Sequence, residues 1–203
     1  NPDGIEIKKQ KDADGKPLDG VAFHPYYTVK DTFGIGIFLT IYLAIVFFLP
    51  ELGGWFLEKD NFAPADILQT PPDIVPLWYL TPYYSILRAV TFEWLPGGAK
   101  LWGVIAMAAA IVVFFFLPWL DRSRVRSIRY RGWMYKTMLT LFAVTFVMLG
   151  YLGTKNPGHV DLFWFNNVTW AQIGLVIYFS FFLLMPIYTR LDKTRPEPDR
   201  VTK

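Results

Sequence analysis

The sequence predicts an all-α membrane protein: four transmembrane helices, with a long outer connection that carries short surface helices. Three observations predict it: four long uncharged apolar runs, aromatic rings crowded at the ends of those runs, and basic residues gathered on one side of them. The runs are Thr32 to Leu49, Leu101 to Leu120, Thr137 to Thr154 and Leu162 to Tyr188. A hydrocarbon layer of roughly 30 Å takes about 20 apolar residues at helical rise, so four such runs leave little of the 203 residues for a soluble core. The spans are placed at 32–50, 101–120, 136–153 and 168–188, within one membrane domain covering residues 1–203.

Composition narrows the chemistry. The chain is 53% hydrophobic and 18% aromatic, and Trp78, Trp94, Trp119, Trp133, Tyr151 and Trp170 stand where rings seat at headgroup level. With no Cys, disulfides, thiolate metal sites and thiol catalysis are excluded. Asn1 to Gly20 is polar and lacks the apolar stretch of a signal peptide; the absence of an initial Met reads as a cut inside a longer chain.

Sixteen of the 20 Lys and Arg fall in the opening segment, the connection from Arg122 to Lys136 and the tail, all on one side in a four-span arrangement. The opposite connections hold only Lys59, Arg88, Lys100 and Lys155. The positive-inside rule therefore puts both termini and the basic connection in the cytoplasm, and these charges set topology rather than bind nucleic acid.

A fifth apolar stretch, Ile74 to Phe92, contains Pro76, Pro82 and Arg88 and is rejected as a span. Proline removes helical hydrogen bonds, a mid-membrane Arg costs at least ~2.5 kcal/mol, and an odd number of spans would separate the basic connection from the basic tail. Two short helices at the outer surface are expected instead, over 72–80 and 82–90. They lie in a connection, Pro50 to Lys100, that is too long and too rich in Trp and Pro to be a tether.

Metal ligation is not indicated: His24 and His159 are the only histidines, far apart and outside the spans. Hydrolase nucleophile patterns, phosphate-cradling loops and intramembrane charges for an ion path are missing as well.

Two strings are more specific. One is Phe23-His24-Pro25-Tyr26-Tyr27-Thr28-Val29-Lys30-Asp31 at the start of the first span; the other begins Pro76-Leu77-Trp78-Tyr79-Leu80-Thr81-Pro82-Tyr83-Tyr84 and runs to Arg88 and Ala89. With Asn1, Pro2 and Gly4 at the start and Met185-Pro186 in the last span, the chain resembles, over essentially its whole length, the C-terminal half of cytochrome b of the proteobacterial cytochrome bc1 complex, ubiquinol:cytochrome c reductase.

That resemblance implies the last four helices of an eight-helix subunit. It implies ubiquinone and ubiquinol as ligands and two b haems in the complete subunit, ligated outside this chain. Its implied partners are the N-terminal half of cytochrome b, the Rieske iron-sulfur protein, cytochrome c1 and membrane lipid, in a homodimeric complex of a bacterial cytoplasmic membrane. Near the cytoplasm it places Phe23, Lys30 and Asp31 beside a quinone-reduction site. A carboxylate there suits the role, because quinone reduction consumes protons and Asp31 can exchange its proton with water; the plain alternatives are a helix-start acid for Asp31 and a lipid-binding cation for Lys30.

On the outer side the resemblance implies a quinol-oxidation pocket walled by Pro76, Leu77, Trp78, Tyr79, Leu80, Tyr84 and Met107. The family motif is Pro-Glu-Trp-Tyr, and its Glu takes a quinol proton; here the position is Leu77, which has no group to accept one. Glu58 is the candidate replacement, since Glu58-Lys59-Asp60-Asn61-Phe62 aligns with a His-Pro-Asp-Asn-Tyr string of those relatives. The alternatives to this reading are a b6f-type subunit IV, which shares the outer motif but has three spans, and a membrane scaffold without a redox role.

Overall fold

The computed structural model describes all residues except 7–9, 55, 56, 58–61, 63, 65, 69–73, 95, 202 and 203. The chain forms two compact units, residues 1–70 with 197–203, and residues 71–196.

The first unit begins with a tight turn. Asp12 Oδ1 accepts the Asp14 and Lys16 amides at 3.0 and 2.8 Å, Gly15 takes the left-handed conformation (φ 77°), and Lys11 pairs with Pro17. A wide turn, Phe23–Tyr27, with a cis His24–Pro25 peptide leads into α1, Thr28–Phe48. Twenty-one residues without a Pro make α1 long enough to cross a bilayer. Its polar side chains are absorbed locally: the Thr32 and Thr40 hydroxyls donate to the Thr28 and Gly36 carbonyls at 2.9 and 2.8 Å. The helix stops at Leu49, where Pro50 restricts the backbone before it. None of its residues is buried.

In the second unit, α2 (Thr81–Ala89) starts with Pro82 in its first turn, where the missing N–H costs nothing. Helix α3 (Gly98–Val112) continues through a 3-10 segment, Val113–Phe116, into α4 (Leu117–Leu120), so that one span covers Gly98–Leu120. The tightening has a visible companion: in an unbroken α-helix residue 114 would bond the Ala110 carbonyl, and here that carbonyl accepts the buried Tyr178 hydroxyl at 2.8 Å. Helix α5 is Trp133–Gly153. Helices α6 (Asn167–Leu183) and α7 (Met185–Leu191) meet at a bend of 58°. Pro186, which cannot donate to the Phe182 carbonyl, accounts for it. Among the described residues three helices are long and apolar enough to span a membrane, or four if the bent pair is one span.

The core of this unit gathers around α2. Ile86 and Ala89 of α2 are buried with Ala110 of α3, Leu149 and Leu152 of α5, and Ala171 and Tyr178 of α6. Small residues let the backbones close in: a Cβ on Gly103 or on Gly153 would strike the Leu87 or the Thr81 carbonyl.

Of the two short helices expected in this connection, over 72–80 and 82–90, the second forms as α2, Thr81–Ala89. Helix α2 is wedged among α3, α5 and α6, with Thr81, Pro82, Ser85, Ile86 and Ala89 buried. The first expected helix does not form in its described part: 74–77 is irregular and 78–80 is a turn, whose Leu77 and Trp78 carbonyls accept the Leu80 and Thr81 amides. Pro76 and Pro82 bracket too few residues for a stable helix to nucleate between them.

Candidate functional site

A cleft of ≈ 490 Å³ opens beside α2, lined by Ile74, Val75, Tyr84, Arg88, Thr154, Lys155, Asn156 and Pro157. Two segments build it: the approach to α2 with one face of α2, and the connection that leaves α5.

The second segment is fixed by the start of α6. Asn166 caps that helix, accepting the Thr169 amide at 2.8 Å. The next residue, Asn167, is 2% exposed and donates through Nδ2 to the Asn156 carbonyl at 2.7 Å and to Asp161 Oδ2 at 2.6 Å. Its amide donates to the His159 carbonyl at 2.9 Å.

Arg88 joins the two segments. Its Nη2 donates to the carbonyls of Leu152 at 2.7 Å, Gly153 at 3.4 Å and Lys155 at 2.9 Å, and its guanidinium lies 4.6 Å from the centre of the Tyr84 ring. A cation at the C-terminus of α5 satisfies carbonyls that have no partner within the helix and opposes the negative end of its dipole. An Arg in an apolar stretch, which argued against a span there, is thus a tertiary helix cap.

The cleft is lined by apolar groups, Ile74, Val75, Pro157 and the Tyr84 ring, and by the polar residues Arg88, Lys155, Asn156 and Thr154, with no carboxylate among the described residues of its lining. Its volume falls in the usual range of small-molecule sites, roughly 300–1,000 Å³. Such a lining offers both apolar contact and hydrogen-bonding groups to a small molecule.

The expected outer-site residues are only partly gathered there. Tyr84 lines the cleft, and Pro76 and Leu77 are half-buried directly after Ile74 and Val75. Trp78 and Tyr79 form an edge-to-face pair at 5.7 Å but are 58% and 51% exposed, with Leu80 at 42%. Met107 is half-buried on α3, outside the lining. Glu58 lies outside the described residues. Sequence reasoning missed Arg88, Ile74, Val75 and the 154–157 wall; the one available signal was an unexplained Arg in an apolar stretch.

In the first unit, Phe23, Lys30 and Asp31 stand within one turn and the start of α1. Phe23 stacks on Tyr27 at 6.4 Å, and Lys30 Nζ lies 5.5 Å from the centre of the same Tyr27 ring. Tyr27, not among the expected site residues, thus links two of them. Asp31 is exposed in the first turn of α1, and His24 Nδ1 lies 3.4 Å from Thr28 Oγ1.

The long apolar helices define a multi-pass helical membrane protein, with a cleft of small-molecule size beside α2. Residues 64–179, more than half of the chain, match the family model described as cytochrome b (C-terminal)/b6/petD, and the chain belongs to that family. It is 49% identical to the cytochrome b of Allochromatium vinosum over 206 residues, covering 100% of this chain and 48% of that protein. The cytochrome b of Rhodospirillum rubrum is 43% identical, over 98% of this chain and 43% of that protein. A chain of a solved "Hyperthermophilic respiratory Complex III" superposes with a TM-score of 0.72 at 34% identity, covering 94% of this chain and 43% of that one. The chain thus spans about half the length of the curated relatives it matches.

Proposed function

We propose that the chain is the C-terminal half of the cytochrome b subunit of a ubiquinol:cytochrome c reductase. In this reading it walls a quinol-oxidation site at the α2 cleft and a quinone-reduction site at the start of α1. The observation that carries the proposal is the cleft itself: its apolar and hydrogen-bonding lining suits a quinol ring, and it is built on the segment that holds Pro76-Leu77-Trp78-Tyr79. Similarity to cytochrome b proteins and to a Complex III chain supports it.

A bound quinol supplies two electrons and two protons, and this chain handles position and protons. The Tyr84 ring, Ile74 and Val75 hold the face of the quinol ring and exclude water, while Lys155 and Asn156 present donors to its oxygens. Leu77 offers no proton acceptor, so Glu58 takes that task on the sequence alignment alone. At the other site Asp31 exchanges protons with water, and Phe23 and Lys30 form its apolar and cationic borders.

The haem irons of the complete subunit are held outside this chain. The proposed partners are the N-terminal half of cytochrome b, a Rieske iron-sulfur protein and cytochrome c1, in a dimeric complex in the bacterial cytoplasmic membrane with both termini of this chain inside. A b6f-type subunit IV belongs to the same family model, but the fourth span formed by α6 and α7 argues against it. The test is a redox difference spectrum of the complex purified through this chain. Reducible b haems, with quinol-driven reduction blocked by quinone-site inhibitors, are expected; a complex without b haem would sink the proposal and favour a scaffold.

A further inference from the structure

We propose that Arg88 is the positioning residue of the α2 cleft: it holds the Tyr84 ring as a fixed wall against which the quinol ring packs, an inference that rests on the proposed function of this cleft. Tyr84 and Arg88 sit one helical turn apart on α2 and both line the cleft. The guanidinium lies 4.6 Å from the ring centre, within cation–π range.

What makes Arg88 a fixed support is its other side. Nη2 is held by the Leu152 and Lys155 carbonyls at 2.7 and 2.9 Å, which belong to a different helix and the connection after it. Arg88 Nε and Ser85 Oγ are buried without a protein hydrogen-bond partner, and both residues line a small void of ≈ 10 Å³. Planar, forked and always charged, Arg serves the carbonyls and the ring at once; a Lys keeps the charge and one or two carbonyl bonds but loses the plane that stacks.

The test compares purified complexes carrying Arg88→Lys, Tyr84→Phe, Tyr84→Leu and the two double substitutions. Steady-state KM and kcat are measured with decylubiquinol, and the equilibrium affinity of a competitive outer-site inhibitor is measured by titration. Arg88→Lys is expected to raise KM and weaken the inhibitor by about tenfold, with kcat within about twofold. The same effect is expected in the Tyr84→Phe background, which keeps the ring, and less than about twofold in the Tyr84→Leu background, which lacks it. A full effect of Arg88→Lys with Leu at 84 overturns the proposal and leaves the outer-site reading standing. If Tyr84→Leu changes neither KM nor inhibitor affinity, both fall. If Arg88→Lys fails to assemble while Tyr84→Leu assembles, Arg88 is a helix cap alone and the proposal fails.

Discussion

Gly153, the last residue of α5, lies so close to α2 that a Cβ there would overlap the Thr81 carbonyl. A backbone atom cannot swing aside as a side chain can, so Gly153→Ala must push the two helices apart. Gly150, one turn earlier, is a natural control, because a Cβ there would stand 3.5 Å from Pro82 Cγ in ordinary contact. Gly153→Ala is expected to cost about 1–3 kcal/mol and lower the thermal midpoint of the complex, whereas Gly150→Ala should stay within about 0.5 kcal/mol.

Tyr84 and Tyr79 should differ in weight, although both were expected as walls of one pocket. Tyr84 lines the cleft and carries the Arg88 contact, while Tyr79 is half-exposed and touches Trp78. Tyr84→Ala is expected to lower quinol turnover by about tenfold and Tyr79→Ala by no more than about threefold, read in the same assay. Equal losses would mean that the pocket is closed by a partner over Tyr79.

Asp31→Asn tests the proton role at the start of α1. The amide keeps the size and the hydrogen bonding but cannot exchange a proton, so reoxidation of the inner haem by quinone should slow by at least about tenfold while its reduction through the outer site is unchanged. Flash or stopped-flow kinetics at the haem bands separate the two.

Asp19 and the tail give a prediction in pH. Arg200 donates to Asp19 Oδ1 from Nη2 at 2.8 Å and from Nε at 3.2 Å, and the Val201 amide donates to Oδ2 at 3.3 Å. The guanidinium hydrogen bond holds the Asp19 carboxyl below its ordinary value of 3.8. A lowered folded value means that the docking is fully present above 3.8 and is lost as pH falls through the lowered value. The protection factor of amides around residue 200, exchange relative to the intrinsic rate at each pH, should therefore be flat from about pH 8 to about pH 5 and fall only below the ordinary carboxylate range, and Asp19→Asn should lower it throughout the flat region.

The outer proton acceptor is open to a reciprocal experiment. Glu58→Gln should slow quinol oxidation and remove its acidic limb on the pH profile, and adding Leu77→Glu should restore it. A silent Glu58→Gln, or no rescue by Leu77→Glu, would leave the proton acceptor elsewhere.

The spans were legible because each is a long apolar run bounded by Pro, Gly or charge, and a run such as 133–153 has no competing structure in a membrane. That Phe23, Lys30 and Asp31 share one turn and the start of α1 follows from their closeness in sequence. Helix α2 lies within one residue of its expected bounds, but its packing was not legible, because its nine residues are mildly apolar and only tertiary contacts reveal that Arg88 caps α5 and that glycines open room beside it. The 154–157 wall was invisible for the same reason. Its residues have no motif, and they meet Tyr84 only because Asn167 and Arg88 pull the connection onto α2.

Helix α1 has a consequence for the life of the protein in a cell. None of its twenty-one residues is buried, and Val29, Phe33, Phe47 at 72% and Phe48 at 80% are exposed. Lipid can wet such a helix but cannot fix its register, which takes a neighbouring protein face docked against it. A newly inserted copy is an orphan until that neighbour arrives, with a face that membrane proteases and chaperones recognise. The steady amount of this chain should then follow the supply of its assembly partners rather than its own rate of synthesis.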